Sequence, residues 1–79
     1  MLENKKIGFL GGGKMAEAII KGLIRSKISR PDKILVSDIR KDRLKELSEK
    51  YRILIAEDNK KLVRESNIVV LAIKPQVIF

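Results

Sequence analysis

The sequence contains neither cysteine nor histidine. Without cysteine the chain has no disulfide framework and no thiolate metal site. Without histidine it also lacks the commonest general base and a common zinc ligand. We therefore expect neither a metal site nor catalytic residues here, and predict that this chain alone mostly binds. The absence of cysteine is also consistent with a reducing cytosol.

Aromatic residues are scarce, with one tyrosine, two phenylalanines and no tryptophan among 79 residues. These are too few to form a stacking platform for nucleic-acid bases. The net charge of +8 favours an anionic partner, but the charges alternate in sign, as in Lys41-Asp42-Arg43. Because a small phosphate-bearing ligand also suits a positive field, we expect no nucleic-acid partner. A non-enzymatic basic binding module is the least favoured alternative.

Long apolar runs are also missing. No segment approaches the roughly 20 apolar residues of a membrane span. The charged N-terminus is followed by an apolar stretch that glycines interrupt at once, which does not resemble a signal peptide. We expect a soluble, cytoplasmic protein without a membrane partner, small enough to form at most one domain.

The apolar pattern predicts alternating strands and helices. Ile7-Gly8-Phe9-Leu10 is a short apolar run that ends in three glycines, which indicates a buried strand before a tight turn. The further elements expected are a helix over residues 14–27, a loop over 29–32, a strand over 34–36, a helix over 41–50, a strand over 53–55, a short helix to residue 65 and a strand over 68–73.

The residues of four elements give further detail. In the first helix Met15, Ala18, Ile19, Gly22 and Leu23 fall at helical spacing. In the second helix, Leu44 and Leu47 are expected on the inner face. Asp58 or Asn59 can cap the third helix. Residues 68–73 are apolar without interruption, which predicts a strand covered on both faces.

The order β-α-β-α-β-α-β predicts an α/β fold, a Rossmann-type parallel sheet with right-handed crossovers. The expected strand order is 3-2-1-4. A complete dinucleotide fold usually has about six strands, so residues 1–79 are expected to be the N-terminal part of an NAD(P)-binding domain.

The glycine-rich turn fits the pattern Gly-x-Gly-x-x-Ala, with Gly11, Gly13 and Ala16. Gly11 allows the sharp turn after the strand, Gly13 lets a pyrophosphate approach the backbone, and Ala16 lets the helix pack close to the strand. The helix start at Lys14 presents free N–H groups and the positive end of its dipole to phosphates. The Lys14 side chain adds a full positive charge.

The end of the second strand carries the residues expected to hold the ribose. The Asp38 carboxylate can accept from ribose hydroxyls, which favours NAD. Ser37 and Arg40 can instead hold a 2′-phosphate, which favours NADP. The choice between the two cofactors stays open from the sequence.

Four segments resemble the N-terminal domain of the pyrroline-5-carboxylate reductases, within the wider 6-phosphogluconate dehydrogenase-like superfamily. They are residues 7–23, 36–38, 58–60 and 71–76, and the resemblance runs along the whole chain. The glycine loop alone is shared across this superfamily. The ending Ala-Ile-Lys-Pro-Gln, together with Met-Ala-Glu-Ala-Ile, is more specific to the reductase family. The sequence departs from the family in Lys14, where asparagine or glutamine is common, and in Ile39, where an arginine often follows the strand.

The resemblance implies further cofactor-binding residues. Asn59 corresponds to an asparagine near the adenosine end of the cofactor, and Met15 belongs to the loop segment. Residues 72–75 correspond to the loop under the cofactor: Ala72, Ile73, Lys74 and Pro75.

The resemblance also implies an activity, which is the NAD(P)H-dependent reduction of 1-pyrroline-5-carboxylate to L-proline in proline biosynthesis. In that family a helical C-terminal domain dimerises and completes the substrate pocket, and none of it is present in these residues. We therefore expect a homo-oligomeric full-length enzyme and no reductase activity from the 79 residues alone. The alternative of the same class is a hydroxyacid or imine reductase of the superfamily.

Overall fold

A computed structural model describes residues 4–72 of the chain. Strands and helices alternate along it. The elements are β1 (Ile7–Leu10), α1 (Lys14–Arg25), a short 3-10 helix (Pro31–Lys33), β2 (Ile34–Ser37), α2 (Lys41–Tyr51), β3 (Leu54–Ile55), α3 (Asn59–Glu65) and β4 (Ile68–Leu71).

The four strands form one parallel sheet in the order β3-β2-β1-β4, which confirms the predicted topology. In β1, Phe9 pairs with Val36 of β2 on one side and with Val70 of β4 on the other. All carboxyl ends of the strands therefore lie at one edge of the sheet, where α/β folds bind ligands.

The two faces of the sheet are covered by different helices. On one face, a buried cluster joins Phe9 and Val36 to residues of α1 and α2, among them Ile20 and Leu47. On the other face, Leu35 packs with Ala56 and with Leu62 of α3. Burial of Leu44 and Leu47 confirms the predicted inner face of α2.

The prediction that the fourth strand is covered on both faces is wrong. Ile68 and Val69 are partly exposed, and Leu71 is 70% exposed. Because β4 is at the edge of the sheet, paired only with β1 in the described part of the chain, it has packing neighbours on one side only and its faces are incompletely covered. The strand also ends at Leu71, so the predicted end at residue 73 is not reproduced.

The first helix begins at Lys14 as predicted but ends at Arg25, before the predicted end at residue 27. It ends at Arg25 because Lys27 adopts a left-handed conformation, with φ of 61°. The buried residues are Ala16 and Ile20, whereas Met15 is 54% exposed. The burial of Ala16 in one cluster with Phe9 agrees with the expected close packing of this helix on β1.

Smaller differences concern the ends of other elements. The third strand begins at Leu54, although Ile53 is buried beside it. The second helix continues to Tyr51 and ends where Arg52 takes φ of 61°. The predicted loop over 29–32 contains Pro31, which begins the 3-10 helix instead of continuing a coil.

Candidate functional site

The glycine loop connects β1 to α1 at the carboxyl edge of the sheet. Gly11 has φ of 103°, a conformation that favours glycine, and its N–H donates to the Ser37 carbonyl at 2.8 Å. Gly13 is the N-cap of α1 and provides no side-chain cap. The first helical bond runs from the Glu17 N–H to the Gly13 carbonyl. The N–H groups of residues 14–16 therefore have no acceptor within the helix and suit an anionic ligand.

The space around the loop differs from one glycine to the next. A Cβ atom placed on Gly13 would meet no atom within 4 Å, whereas one on Gly12 would lie 3.0 Å from Leu47 Cδ1. Ala16 is fully buried where α1 meets the sheet. The loop is thus packed against the protein at Gly12 and open at Gly13, which is the geometry that a pyrophosphate cradle requires.

Asp38 lies directly after β2 and contacts the same loop. Its Oδ2 accepts from the Gly12 N–H at 2.8 Å and from Arg40 Nη2 at 2.9 Å. Its Oδ1 accepts from the Arg40 backbone N–H and from Arg40 Nε. The Arg40 guanidinium therefore holds the pKa of Asp38 well below its usual range. The carboxylate is charged, 7% exposed and already occupied by four donors.

Five more of the sequence-predicted residues belong to the described part of the chain. Ser37 Oγ donates to Asn59 Oδ1 at 2.6 Å, which joins the end of β2 to the start of α3. Lys14 and Met15 are exposed in the first turn of α1. The buried Ala72 donates its N–H to the Leu10 carbonyl at 3.0 Å, just before the glycine loop. Ile73, Lys74 and Pro75 lie outside the described residues.

Sequence reasoning missed Arg43, which reaches the loop from α2. Its Nε donates to the Gly12 carbonyl at 2.5 Å, and its Nη2 lies 3.3 Å from the Gly13 carbonyl. Nη2 also pairs with Glu17 Oε1 at 2.7 Å, and Nη1 contacts Glu46. No local signal in the sequence marks a contact between residues some 30 positions apart in the chain.

Glu17 connects the two helices on this side of the loop. Besides Arg43, it accepts from Tyr51 Oη at 2.6 Å and from Lys50 Nζ at 2.9 Å. These three donors, Tyr51 first, lower the Glu17 pKa to about 2. The carboxylate is therefore ionised throughout the physiological range.

This pKa predicts a pH-dependent contribution to stability. A lowered folded-state pKa adds stability above the ordinary value of 4.5, and that stability is lost as the pH falls towards 2. We expect the wild type to exceed Glu17→Gln by about 1 to 2 kcal/mol near pH 6, since solvent partly screens a carboxylate that is 21% exposed. Urea unfolding of both proteins between pH 6 and 2 measures the difference, and a gap that stays constant with pH would contradict the assignment.

Within residues 4–72, no group of acidic side chains is placed to hold a metal ion. No helix in this part of the chain is long and apolar enough to cross a membrane.

Comparison with known families gives one match over most of the chain. A family model described as "NADP oxidoreductase coenzyme F420-dependent" matches residues 6–79. The chain is 46% identical over 77 residues to a pyrroline-5-carboxylate reductase of Methanosarcina acetivorans, which covers 98% of this chain and 28% of the relative. It is 41% identical over 73 residues to pyrroline-5-carboxylate reductase 2 of Bacillus subtilis, covering 91% of this chain and 26% of that protein.

The similar solved structures are reductases of the same kind. A pyrroline-5-carboxylate reductase from Coxiella burnetii superposes with a TM-score of 0.83 at 36% identity, over 92% of this chain and 27% of that one. A Plasmodium falciparum pyrroline carboxylate reductase with NADP bound superposes with a TM-score of 0.74 at 25% identity, over 90% and 24% of the two chains. The resemblance seen in the motifs is confirmed, and the chain spans about a quarter of the length of these relatives.

Proposed function

We propose that this chain, which belongs to the family described as NADP oxidoreductase, coenzyme F420-dependent, forms the N-terminal part of the cofactor-binding domain of a pyrroline-5-carboxylate reductase. The whole enzyme reduces 1-pyrroline-5-carboxylate to L-proline. The observation that carries the proposal is the glycine loop, which is open at Gly13 and adjoins the uncapped start of α1.

The residues at this edge of the sheet fit a nicotinamide dinucleotide. The N–H groups of residues 14–16 and the Lys14 ammonium hold the pyrophosphate, and Gly11, Gly13 and Ala16 shape the cradle. Ser37, Asp38, Arg40 and Asn59 surround the adenosine ribose. Ala72 follows β4, and the resemblance extends this cofactor-binding segment to Ile73, Lys74 and Pro75.

The side chains present indicate which part of the reaction this chain serves. When bound, the reduced nicotinamide supplies the hydride that reduces the C=N bond of the ring. This chain binds and orients the cofactor, and with no histidine or cysteine it contributes no acid-base group of those types. The substrate carboxylate site and the proton donor belong to a helical domain outside these residues. The full enzyme is a cytoplasmic homo-oligomer without nucleic-acid or membrane partners.

Two measurements on the 79-residue chain test this proposal. Titration with NADPH, followed by nicotinamide fluorescence, should show saturable binding. Addition of 1-pyrroline-5-carboxylate should then produce no proline, because the substrate pocket is incomplete. Salt-sensitive binding of DNA without NADPH binding would instead support a basic binding module.

The pairing of Asp38 with Arg40 favours NADP over NAD. A free carboxylate at this position would repel a 2′-phosphate, but the carboxylate here is occupied by the Arg40 guanidinium and by backbone N–H groups. The Arg40 side chain is also 54% exposed, so it has room to meet a phosphate. Guanidinium groups bind phosphate through paired, charge-assisted hydrogen bonds.

Arg40→Met should therefore lower NADPH affinity by at least about tenfold, while NADH affinity stays the same or rises. The rise is expected because the freed Asp38 carboxylate can accept from ribose hydroxyls. Fluorescence titration with both cofactors measures the ratio. Arg25→Met is the matched control, since Arg25 is exposed in the last turn of α1, at the far end from the loop. An equal loss for both cofactors would assign Arg40 a role that does not involve the 2′-phosphate.

A further inference from the structure

We propose that Arg43 is a positioning residue that orients the glycine-loop peptides for the pyrophosphate before the cofactor arrives. This inference rests on the proposed function of the loop. Arg43 lies on α2, outside the glycine motif, and is joined to the loop by two backbone contacts and to α1 by an ion pair.

Peptide geometry links these contacts to the ligand. In a trans peptide the carbonyl oxygen and the following N–H point in opposite directions, and the chain has no cis peptide among its described residues. Arg43 Nε holds the Gly12 carbonyl towards α2, and Nη2 adds a longer contact to the Gly13 carbonyl, which also accepts the first helical bond of α1. The N–H groups of Gly13 and Lys14 consequently point away from α2, which makes them available to an anion.

The guanidinium acts through the backbone because four of its five N–H groups already contact the protein. Nε and Nη2 contact the loop carbonyls, Nη2 also contacts Glu17, and Nη1 contacts Glu46. The side chain is only 17% exposed, and two carboxylates balance its charge. Arg43 is therefore a support of the loop and not a phosphate ligand.

Glu17 fixes the position of Arg43 in turn. Lys50 and Tyr51, about two turns beyond Arg43 on α2, hold the other carboxylate oxygen of Glu17. Because Glu17 is in the first turn of α1, this network ties the start of that helix to α2. The loop carbonyls and the helix that follows them are thus both held by α2, which reduces the ordering that a ligand must impose.

The test compares two ligands that differ in the pyrophosphate. NADPH contains it, whereas adenosine 2′-monophosphate has only the adenosine end. We expect Arg43→Met to weaken NADPH binding by at least tenfold and to change adenosine 2′-monophosphate binding by less than threefold. Arg43→Lys keeps the charge but loses the planar fork, so it should resemble Arg43→Met. The control Arg25→Met should leave both affinities unchanged.

A ligand-free measurement completes the test. In the spectrum of the free chain, the amide resonances of Gly13 and Lys14 should shift in Arg43→Met and stay in place in Arg25→Met. Equal loss of both ligands, or wild-type NADPH affinity in Arg43→Met, would overturn the proposal. Wild-type affinity in Arg43→Lys would show that charge alone matters, which also contradicts it. If the wild type binds neither ligand, the proposed function fails, while unshifted loop amides in Arg43→Met refute the positioning role by themselves.

Discussion

Gly13→Val is expected to lower NADPH affinity at least 100-fold while leaving the fold intact. A Cβ at this position meets no protein atom within 4 Å, so the added side chain extends from the backbone into the open space in which we place the pyrophosphate. The backbone φ of −78° is accessible to any residue. Any change in the free energy of unfolding should stay below about 1 kcal/mol, because a poorer N-cap is offset by a less flexible unfolded chain.

Fluorescence titration and urea unfolding of the same Gly13→Val sample separate these two effects. Loss of binding with wild-type stability is the expected combination. Wild-type affinity would show that the ligand does not approach the backbone at Gly13, and the pyrophosphate cradle would then have to lie elsewhere.

Gly8→Ala is expected to have the opposite profile, with a large loss of stability. Its Cβ would lie 2.1 Å from Ser66 Oγ and 2.6 Å from Leu62 Cδ2. Leu62 is fully buried between α3 and the sheet, so it has little room to move, and Ser66 Oγ is bound to the Leu62 carbonyl. Overpacking of this kind costs about 1–3 kcal/mol, and we expect the upper end of that range.

Gly22→Ala provides the matched control for Gly8→Ala. Gly22 is exposed within α1, and a Cβ there meets no atom within 4 Å. Alanine should therefore stabilise the helix by about 0.5–1 kcal/mol. Urea unfolding of both variants measures the contrast. If Gly8→Ala were as stable as Gly22→Ala, the close packing of α3 on β1 would be wrong.

The fold was predictable because its signals are local. The apolar runs and the glycine turn of residues 11–13 define the alternation of strands and helices, and this alternation fixes a parallel sheet. Asp58 capped α3 as expected, accepting from the Lys61 N–H at 2.8 Å. The exposure of β4 was not predictable, because an apolar run shows that a strand can be covered but not whether a neighbour among these residues covers it.

The site was predictable only in part, for a related reason. Gly11, Gly13 and Asp38 belong to a known sequence pattern, in which a glycine turn is followed after about 20 residues by an acidic residue at the end of the next strand. The contacts made by Arg43 and Glu17 depend on how α2 lies beside α1, which no spacing in the sequence specifies. The same holds for the Asp38 carboxylate: its position was predicted, whereas its four hydrogen bonds became visible only in the folded chain.

The central claim is that the loop between β1 and α1 binds the pyrophosphate of a nicotinamide dinucleotide. Amide chemical shifts of the wild-type chain during a titration with NADPH test it most directly. The account predicts saturable shifts that are largest at Gly13, Lys14 and Met15, with a second group at Asp38 and Arg40. The absence of saturable shifts, or shifts confined to residues away from the carboxyl edge of the sheet, would contradict it.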